Sequence, residues 1–418
     1  MRRARPVLLL LALLLLCVPP AAADHEKRKP QGANRVAERY LPSFRLAVEE
    51  AIQNGVTKIK GAQKKDTGTW GNPAAAEAMG YTALPLLTLL KAGVPVDDEH
   101  VLRALEALSK MEFKRTYSTA CYLMAIQAVY QPKLDMWDTD VGAMRAKRVK
   151  PKDVYAKLTA EHRETIEKGV AYLTAAQNSI GLWTYYDEMV KKPLKYDLSN
   201  TQYGLLGLRA AADCGVKVKP RVWRLALKGL ALVQDATGEK VTLINDVEKD
   251  GYVFRTKDVA KVRPFRYTHG KRNGPQGEKT VPTQPATGSM TTAGICSVAI
   301  CMEGLWRSRK FSGTERRKAN DAIRDGLAWL QQNFTVRKNP GHKNLRHHFY
   351  YLYGLERMGM LTDRRWIGSH DWYKEGADLL LEKQLEPWGG WAGGTVNNAF
   401  AILFLKRATA RSTATTNG

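Results

Sequence analysis

Two kinds of segment alternate along this chain, and the alternation restricts the fold more than any single motif does. One kind is amphipathic, apolar at helical spacing on one side and charged on the other: roughly 43–62, 99–110, 161–177, 220–234, 319–332 and 373–384. The other is rich in Gly, Ala, Leu and Tyr with few charges: roughly 74–92, 117–130, 200–213, 288–305, 346–358 and 396–407. A half-polar helix belongs on an outer surface, and a helix apolar nearly all round must be enclosed. Six of each in strict alternation make six hairpins, and the expected fold is an all-α (α/α)6 toroid. Almost no segment alternates with period two, so little sheet is expected.

Small residues punctuate the hairpins. Ala92-Gly93-Val94-Pro95, Cys214-Gly215-Val216 and Met358-Gly359-Met360 each read as the end of an inner helix, with Gly supplying a left-handed turn. Two connections are longer. The stretch 131–160 carries Trp137-Asp138-Thr139-Asp140 and then a basic run, and 235–287 is rich in Gly, Pro and charge. Insertions of that length in a compact ring read as functional lids or unstructured loops. Both are placed on the ring, so residues 24–418 are expected to form one domain.

At the N-terminus, Arg2, Arg3 and Arg5 precede an apolar run from Val7 to Val18 and then Pro19-Pro20-Ala21-Ala22-Ala23. That is the pattern of a signal peptide over 1–23. The run is shorter than the roughly 20 residues a bilayer span wants. The expectation is an exported bacterial protein, periplasmic or secreted, with no transmembrane segment beyond the signal. The formal charge is +24, and removing the three signal arginines leaves 24 − 3 = +21. Such an excess suits acidic envelope components, anionic polysaccharide or lipid headgroups, or simply keeps the surface soluble. The basic residues are not interleaved with aromatics, so no nucleic-acid partner is expected. Apart from Cys17, the cysteines are Cys121, Cys214, Cys296 and Cys301, all in apolar helix-like stretches, where buried free thiols are expected.

One local pattern repeats. Gly169 is followed by Tyr172, Gln177 and then Gly181-Leu182-Trp183. The spacing recurs as Gly55, Gln63 and Trp70, and as Gly376, Gln384 and Trp388-Gly389-Gly390-Trp391. Degenerate copies are Gly326 with Trp329 and Gln331, and Gly229 with Gln234. A Gln at the end of the outer helix can satisfy its orphan carbonyls, and the Trp can pack over that end. Gln63, Trp70, Gln177, Trp183, Gln384 and Trp391 are therefore read as structural staples. These residues resemble the QW repeat of squalene-hopene cyclases, and the chain resembles the squalene-hopene cyclase and protein prenyltransferase toroid superfamily. The segments Arg346-His347-His348-Phe349-Tyr350-Tyr351-Leu352-Tyr353, Gly368-Ser369-His370-Asp371-Trp372-Tyr373 and Asn398-Ala399-Phe400-Ala401 are similar to those of exported bacterial proteins with prenyltransferase and squalene-oxidase repeats. The resemblance implies a toroid with a lipid or isoprenoid ligand.

The chemistry of those enzymes does not come with it. A cyclase acid motif Asp-x-Asp-Asp is missing from the sequence. Asp138-Thr139-Asp140 comes nearest, but a basic stretch follows it. Asp213-Cys214 is contiguous where the prenyltransferase zinc site has a spaced pair, and Cys296 has no Asp two residues before it. No catalytic residue, metal or cofactor is assigned.

In a toroid the inner helices run the same way, so their N-termini share one rim, made locally positive by converging helix dipoles. Polar residues gather at those starts, and the candidate ligand-binding set is His347, His348, Tyr350, Asn200, Gln202, Tyr117, Thr291 and Asn397. The stretch 183–199, with Tyr185, Tyr186, Asp187 and Asp197, and the insertion 235–287 feed the same rim. Helix capping is the plainer role for such residues, and Glu356 beside Arg357 reads as a buried or rim ion pair. Three functions remain: a toroid binding a lipid, isoprenoid or anionic ligand or a partner in its cavity, a lyase or hydrolase acting on acidic polysaccharide, or a noncatalytic envelope scaffold. For a lyase, Tyr350 or His347 would be the base and Arg346 would neutralise a uronate carboxylate.

Overall fold

A computed structural model describes residues 34–35, 40–131, 136–137, 149–185, 196–249, 252–274, 277–282, 284–385 and 389–411. Residues 1–23, expected to be a signal peptide, and Asp138-Thr139-Asp140, Tyr186, Asp187 and Trp388 lie outside the described residues. After a two-residue strand β1 (Asn34–Arg35), the chain forms α1 (Pro42–Gly61) and α2 (Ala78–Ala92), then α3 (Glu99–Ser109) and α4 (Thr116–Tyr130). A short α5 (Pro151–Lys157) precedes the pair α6 (Ala160–Ala175) and α7 (Leu198–Asp213). Helix α8 (Pro220–Val233) leads through strands β2 (Lys240–Lys249), β3 (Tyr252–Lys261), β4 (His269–Gly274) and β5 (Gly277–Pro282) to α9 (Gly288–Arg307). The last two pairs are α10 (Gly313–Asn333) with α11 (His348–Leu361), and α12 (Trp372–Lys383) with α13 (Gly394–Leu405), separated by the short strands β6 (Trp366–Ile367) and β7 (His370–Asp371).

The fold is an (α/α)6 toroid. Helices α2, α4, α7, α9, α11 and α13 pack each on the next, and α13 packs back on α2 to close the inner ring. The segment classes read from the sequence account for this placement. In α3 only Val101, Ala104 and Leu108 are buried, an i, i+3, i+7 stripe, whereas nearly every residue of α7 is buried. Helix α9 is long and apolar enough to cross a bilayer, but 94% of that window is buried inside the ring.

The repeated motif staples three of the six turns, with its parts in different jobs from those expected. The indole N–H of Trp70 donates to Ile59 O at 2.8 Å, that of Trp183 to Leu173 O at 2.8 Å, and that of Trp391 to Leu380 O at 2.8 Å. Each carbonyl lies in the last turn of its outer helix, so Trp satisfies the orphan acceptor. The glutamines reach onward instead. Gln63 donates to Gly68 O and to His100 O in α3, both at 2.9 Å, and Gln177 donates to Gly181 O and to Val222 O in α8, both at 3.0 Å. Gln384 donates to Gly389 O at 3.0 Å and to Ala51 O in α1 at 2.9 Å, joining the last hairpin to the first. The degenerate Gln234 ties Arg263 O to Ala322 O in α10, and Phe265 fills the tryptophan's place against Gly294.

Two expectations are corrected. The insertion 235–287 is folded: β2 and β3 pair antiparallel from Lys240↔Lys261 to Lys249↔Tyr252, β1 adds to the other edge of β3, and β4 pairs with β5. Gln331 anchors this hairpin, accepting from Ile244 N at 2.8 Å and donating to Thr242 O at 3.0 Å. Alternation there is masked by charge, and Asp250-Gly251 between the strands was the overlooked hairpin signal. Gly359 does not end α11, which runs on to Leu361. A Cβ at Gly359 would sit 2.4 Å from Trp372, so the glycine admits that indole. Gly93, by contrast, does end α2, at φ 105°.

Gln384→Met leaves two backbone acceptors without their donor at the ring's closing joint. The expected cost is about 1–3 kcal/mol, read as a lower denaturant midpoint at unchanged slope.

Candidate functional site

All six inner helices contribute their first turns to one cavity of about 550 Å³ on the rim where those helices begin. The side chains that reach it follow helical spacing: Asn200 and Tyr203 on α7, Arg346, His347 and Tyr350 at the start of α11, Val396 and Phe400 on α13. Four of these helices start without a side-chain cap, at Glu77, Arg115, His347 and Gly393, so their first N–H groups are not satisfied by their own caps.

Of the eight residues expected at this rim, Tyr117, Asn200, His347 and Tyr350 line the cavity. The other four do not. Gln202 lies fully buried beneath the tyrosines. His348, one residue and about 100° round the helix from His347, turns its Nε2 to Val336 O at 2.6 Å. Thr291 is fully buried between helices, and Asn397 donates to Ala392 O at 2.9 Å, bracing the glycine start of α13. Sequence reasoning missed Arg115, Tyr203, His342 and Gln284. Tyr203 was recoverable, standing three residues after Asn200 on the same face, whereas the others come from loops with no periodicity to orient them.

The floor is aromatic and joined by hydrogen bonds. Tyr117 stacks on Tyr203 with ring centres 4.0 Å apart. The Tyr117 hydroxyl donates to the Tyr350 hydroxyl at 3.2 Å, which donates to Gln202 Oε1 at 3.3 Å. The same Oε1 accepts from Arg357 Nη2 at 3.1 Å. Arg357 is fully buried and forms no ion pair among the described residues; its guanidinium lies 4.0 Å over the Tyr353 ring and 5.3 Å from that of Tyr203. The expected Glu356–Arg357 pair is therefore not made. On the helix the two side chains diverge, and Glu356 accepts from Thr409 N at 2.9 Å and Thr409 Oγ1 at 2.8 Å. Arg209, paired with Glu303 at 2.9 Å, also holds the Ala410 carbonyl at 3.0 Å. The segment 408–411 thus covers the far end of the ring, below the cavity floor.

Charge and protonation set what the cavity can do. Burial pushes the Tyr117 and Tyr350 phenols up, and Tyr203 up to about 12, so all three stay protonated donors at neutral pH. His347 is pushed down by burial and then by Arg346 and His342, and His342 by burial and Arg346, which keeps both imidazoles neutral and able to accept a proton. Their rings lie 5.8 Å apart. His347 also holds φ 57°, a left-handed conformation uncommon for a side chain larger than glycine, of the kind that collects at functional sites. Glu77 is the one carboxylate in the described lining, and Arg115 Nη2 lies 3.2 Å from it. Arg346 is exposed and makes no ion pair among the described residues. Asn200 is fully buried, donates to Asp197 Oδ2 at 2.9 Å and leaves its own Oδ1 without a partner. Among the described residues no group of His, Cys, Asp and Glu could hold a metal ion. The four cysteines there are buried free thiols.

No protein-family model matches the chain, and no curated protein is similar to it in sequence. Among solved structures it is similar to an inactive double Asp-to-Asn variant of the α-1,6-mannanase GH76A of Salegentibacter sp. HEL1_6, in complex with α-1,6-mannotriose. The TM-score is 0.52 at 10% identity, covering 86% of this chain and 99% of that one. The resemblance to squalene-hopene cyclases and prenyltransferases is corrected by this finding, and the lipid or isoprenoid ligand it implied falls with it. The Gln-to-Trp staple serves the turns of the ring and not a reaction, so it does not by itself assign that family.

Glu356 is pushed up from the ordinary carboxyl value of 4.5 to about 7, by burial against the opposing bonds from Thr409. A raised folded value means that the folded state holds a proton the unfolded chain has released. Its contribution to stability is full below about pH 4.5 and is lost as pH rises through about 7. Glu356→Gln should flatten that slope and raise the melting temperature above pH 7 relative to the parent, checked by thermal melts across the window.

Proposed function

We propose that this cavity binds an acidic saccharide and cleaves it by β-elimination. The observation that carries the reading is the pairing of unneutralised cation and neutral base at one mouth: Arg346 beside His347, in a described lining whose only carboxylate is already met by Arg115. A glycosidase works with two facing carboxylates, and the described lining does not offer them. Elimination needs a different set. A cation and hydrogen-bond donors drain charge from the uronate carboxylate and acidify the adjacent C–H, a neutral base removes that proton, and an acid protonates the departing oxygen.

Each role has a candidate. Arg346 meets the carboxylate, aided by the uncapped helix starts. The imidazole of His347 takes the C5 proton, and a double bond forms between C4 and C5 as the C4–O bond breaks. The phenol of Tyr117, at the outer end of the Tyr117–Tyr350–Gln202 chain, turns from Tyr350 and gives its proton to the leaving oxygen. Tyr117, partly exposed and backed by Tyr203, offers a face on which a sugar ring can stack. The mannanase in complex with a trisaccharide adds support from the fold alone, since a toroid of this shape there holds a saccharide.

The test is incubation with polymers of mannuronate, guluronate, galacturonate and glucuronate, following the ultraviolet absorbance of the unsaturated product. His347→Ala should lower kcat about 100-fold or more, and Arg346→Ala should chiefly raise KM. Since glycine relieves the φ of 57° at position 347, His347→Gly should lose activity while keeping stability within about 1 kcal/mol. Absence of product and of calorimetric binding with every polymer refutes the reading, and new reducing ends from an α-1,6-mannan would replace it with a hydrolase.

A further inference from the structure

The rim opposite the cavity mouth, where inner helices end and outer helices begin, is uneven in charge. The turn from α2 to α3 carries Asp97 and Asp98. The turns from α7 to α8 and from α9 to α10 are the reverse. Lys217, Lys219 and Arg221 are exposed on the first, and Arg309, Lys310, Arg316, Arg317 and Lys318 on the second. The two turns are joined: Arg224 in the first turn of α8 binds Glu315 Oε1 at 2.7 Å and the Lys310 carbonyl. That bond consumes the one carboxylate of the cluster, which also caps α10 through Ser312. The eight exposed basic side chains make no ion pair among the described residues.

An aromatic side chain sits among them. Trp306, near the end of α9, is 40% exposed where almost all the rest of that helix is buried, and the Arg316 guanidinium lies 5.8 Å from its ring centre. Phe311, half-buried, shares the turn. An indole with an apolar body and a polar edge, set level with a ring of cations, suits the headgroup layer of a bilayer. Each Lys or Arg near an anionic lipid surface contributes about 1 kcal/mol, or about fivefold in partition.

We propose that this basic rim is a docking surface for an anionic phospholipid bilayer, with Trp306 entering the headgroup layer. The cavity opens on the opposite rim, so the docked ring presents its mouth to solvent. A single exposed indole beside Arg316, with no row of aromatics about it on these turns, favours a lipid surface over a polymer strand, which takes such a row along a groove. Because the rim shares no residue with the cavity, the proposal stands apart from the saccharide reading.

The experiment is co-sedimentation of the full chain with vesicles of phosphatidylcholine alone or with one third phosphatidylglycerol, at low and at physiological salt. Binding is expected only to the anionic vesicles, weakening with salt, with a blue shift of tryptophan emission that Trp306→Ser removes. Replacing Lys219, Arg221, Arg316 and Arg317 together by Gln should weaken binding by roughly 500-fold. The same charge change on the mouth rim, at Lys64, Lys65, Lys338 and Lys343, should weaken it by no more than about fivefold. All eight positions are exposed, so both variants should melt with the parent. Equal loss in the two variants, no binding to anionic vesicles at low salt, or retention on a uronate polymer but not on vesicles would each overturn the proposal.

Discussion

A ring of hairpins has to close, and here closure rests on a pair of side chains found at three of its six turns. Each Trp donates to a last-turn carbonyl of its own outer helix, and each Gln binds a carbonyl of the next one, so that these hairpins are registered against their neighbours. The last Gln, at position 384, finds the first helix. No inner helix could be buried by its own hairpin alone, because its surface is apolar on all sides. Glycine supplies the closeness this demands. A Cβ on Gly207 in α7 would meet the Ala120 Cα of α4 at 2.8 Å, and one on Gly354 in α11 would meet Thr292 Oγ1 of α9 at 2.7 Å. The inner helices can then approach one another until little space is left along the axis, except where their first turns spread to form the cavity.

That geometry explains what could be read from the sequence. Each helix of the ring is visible there because burial on all sides leaves an unmistakable composition, and the staples are visible because Gly, Gln and Trp must keep fixed distances along one helix. The strands of 235–287 were hidden because they lie on the outside of the ring, where lysines and aspartates interrupt the alternation that a half-buried strand shows. The resemblance to cyclases and prenyltransferases followed from the same staples. The staples hold turns of the ring together and line no part of the cavity, so they bear on the architecture and carry no chemistry.

The site was legible by location and only half legible by residue. That all inner N-termini meet at one rim follows from the hairpin order alone. Which side chain at each start points inward does not follow, since one position along a helix turns a side chain by about 100°. His347 and His348 make the point: adjacent in sequence, they divide between the cavity and the carbonyl of Val336. Asn200 and Gln202 divide likewise between the lining and the layer beneath it.

Arg357 is the feature of this site least explained by folding. A guanidinium fully removed from water costs several kcal/mol unless it is matched, and Arg357 has ring faces, one amide oxygen and the Tyr203 hydroxyl where a carboxylate would ordinarily stand. Glu356 next to it is held by Thr409 instead. The unmatched charge lies directly behind the chain that runs through Gln202 to the hydroxyls of Tyr350 and Tyr117. Because Gln202 Oε1 accepts from both Arg357 and Tyr350, the Tyr350 proton is directed inward and its oxygen is left to accept from Tyr117. The floor therefore carries a fixed positive field and a fixed order of protons, both pre-set before any ligand arrives. An acidic ligand of the kind proposed, entering past Arg346, would supply the negative charge that this arrangement lacks.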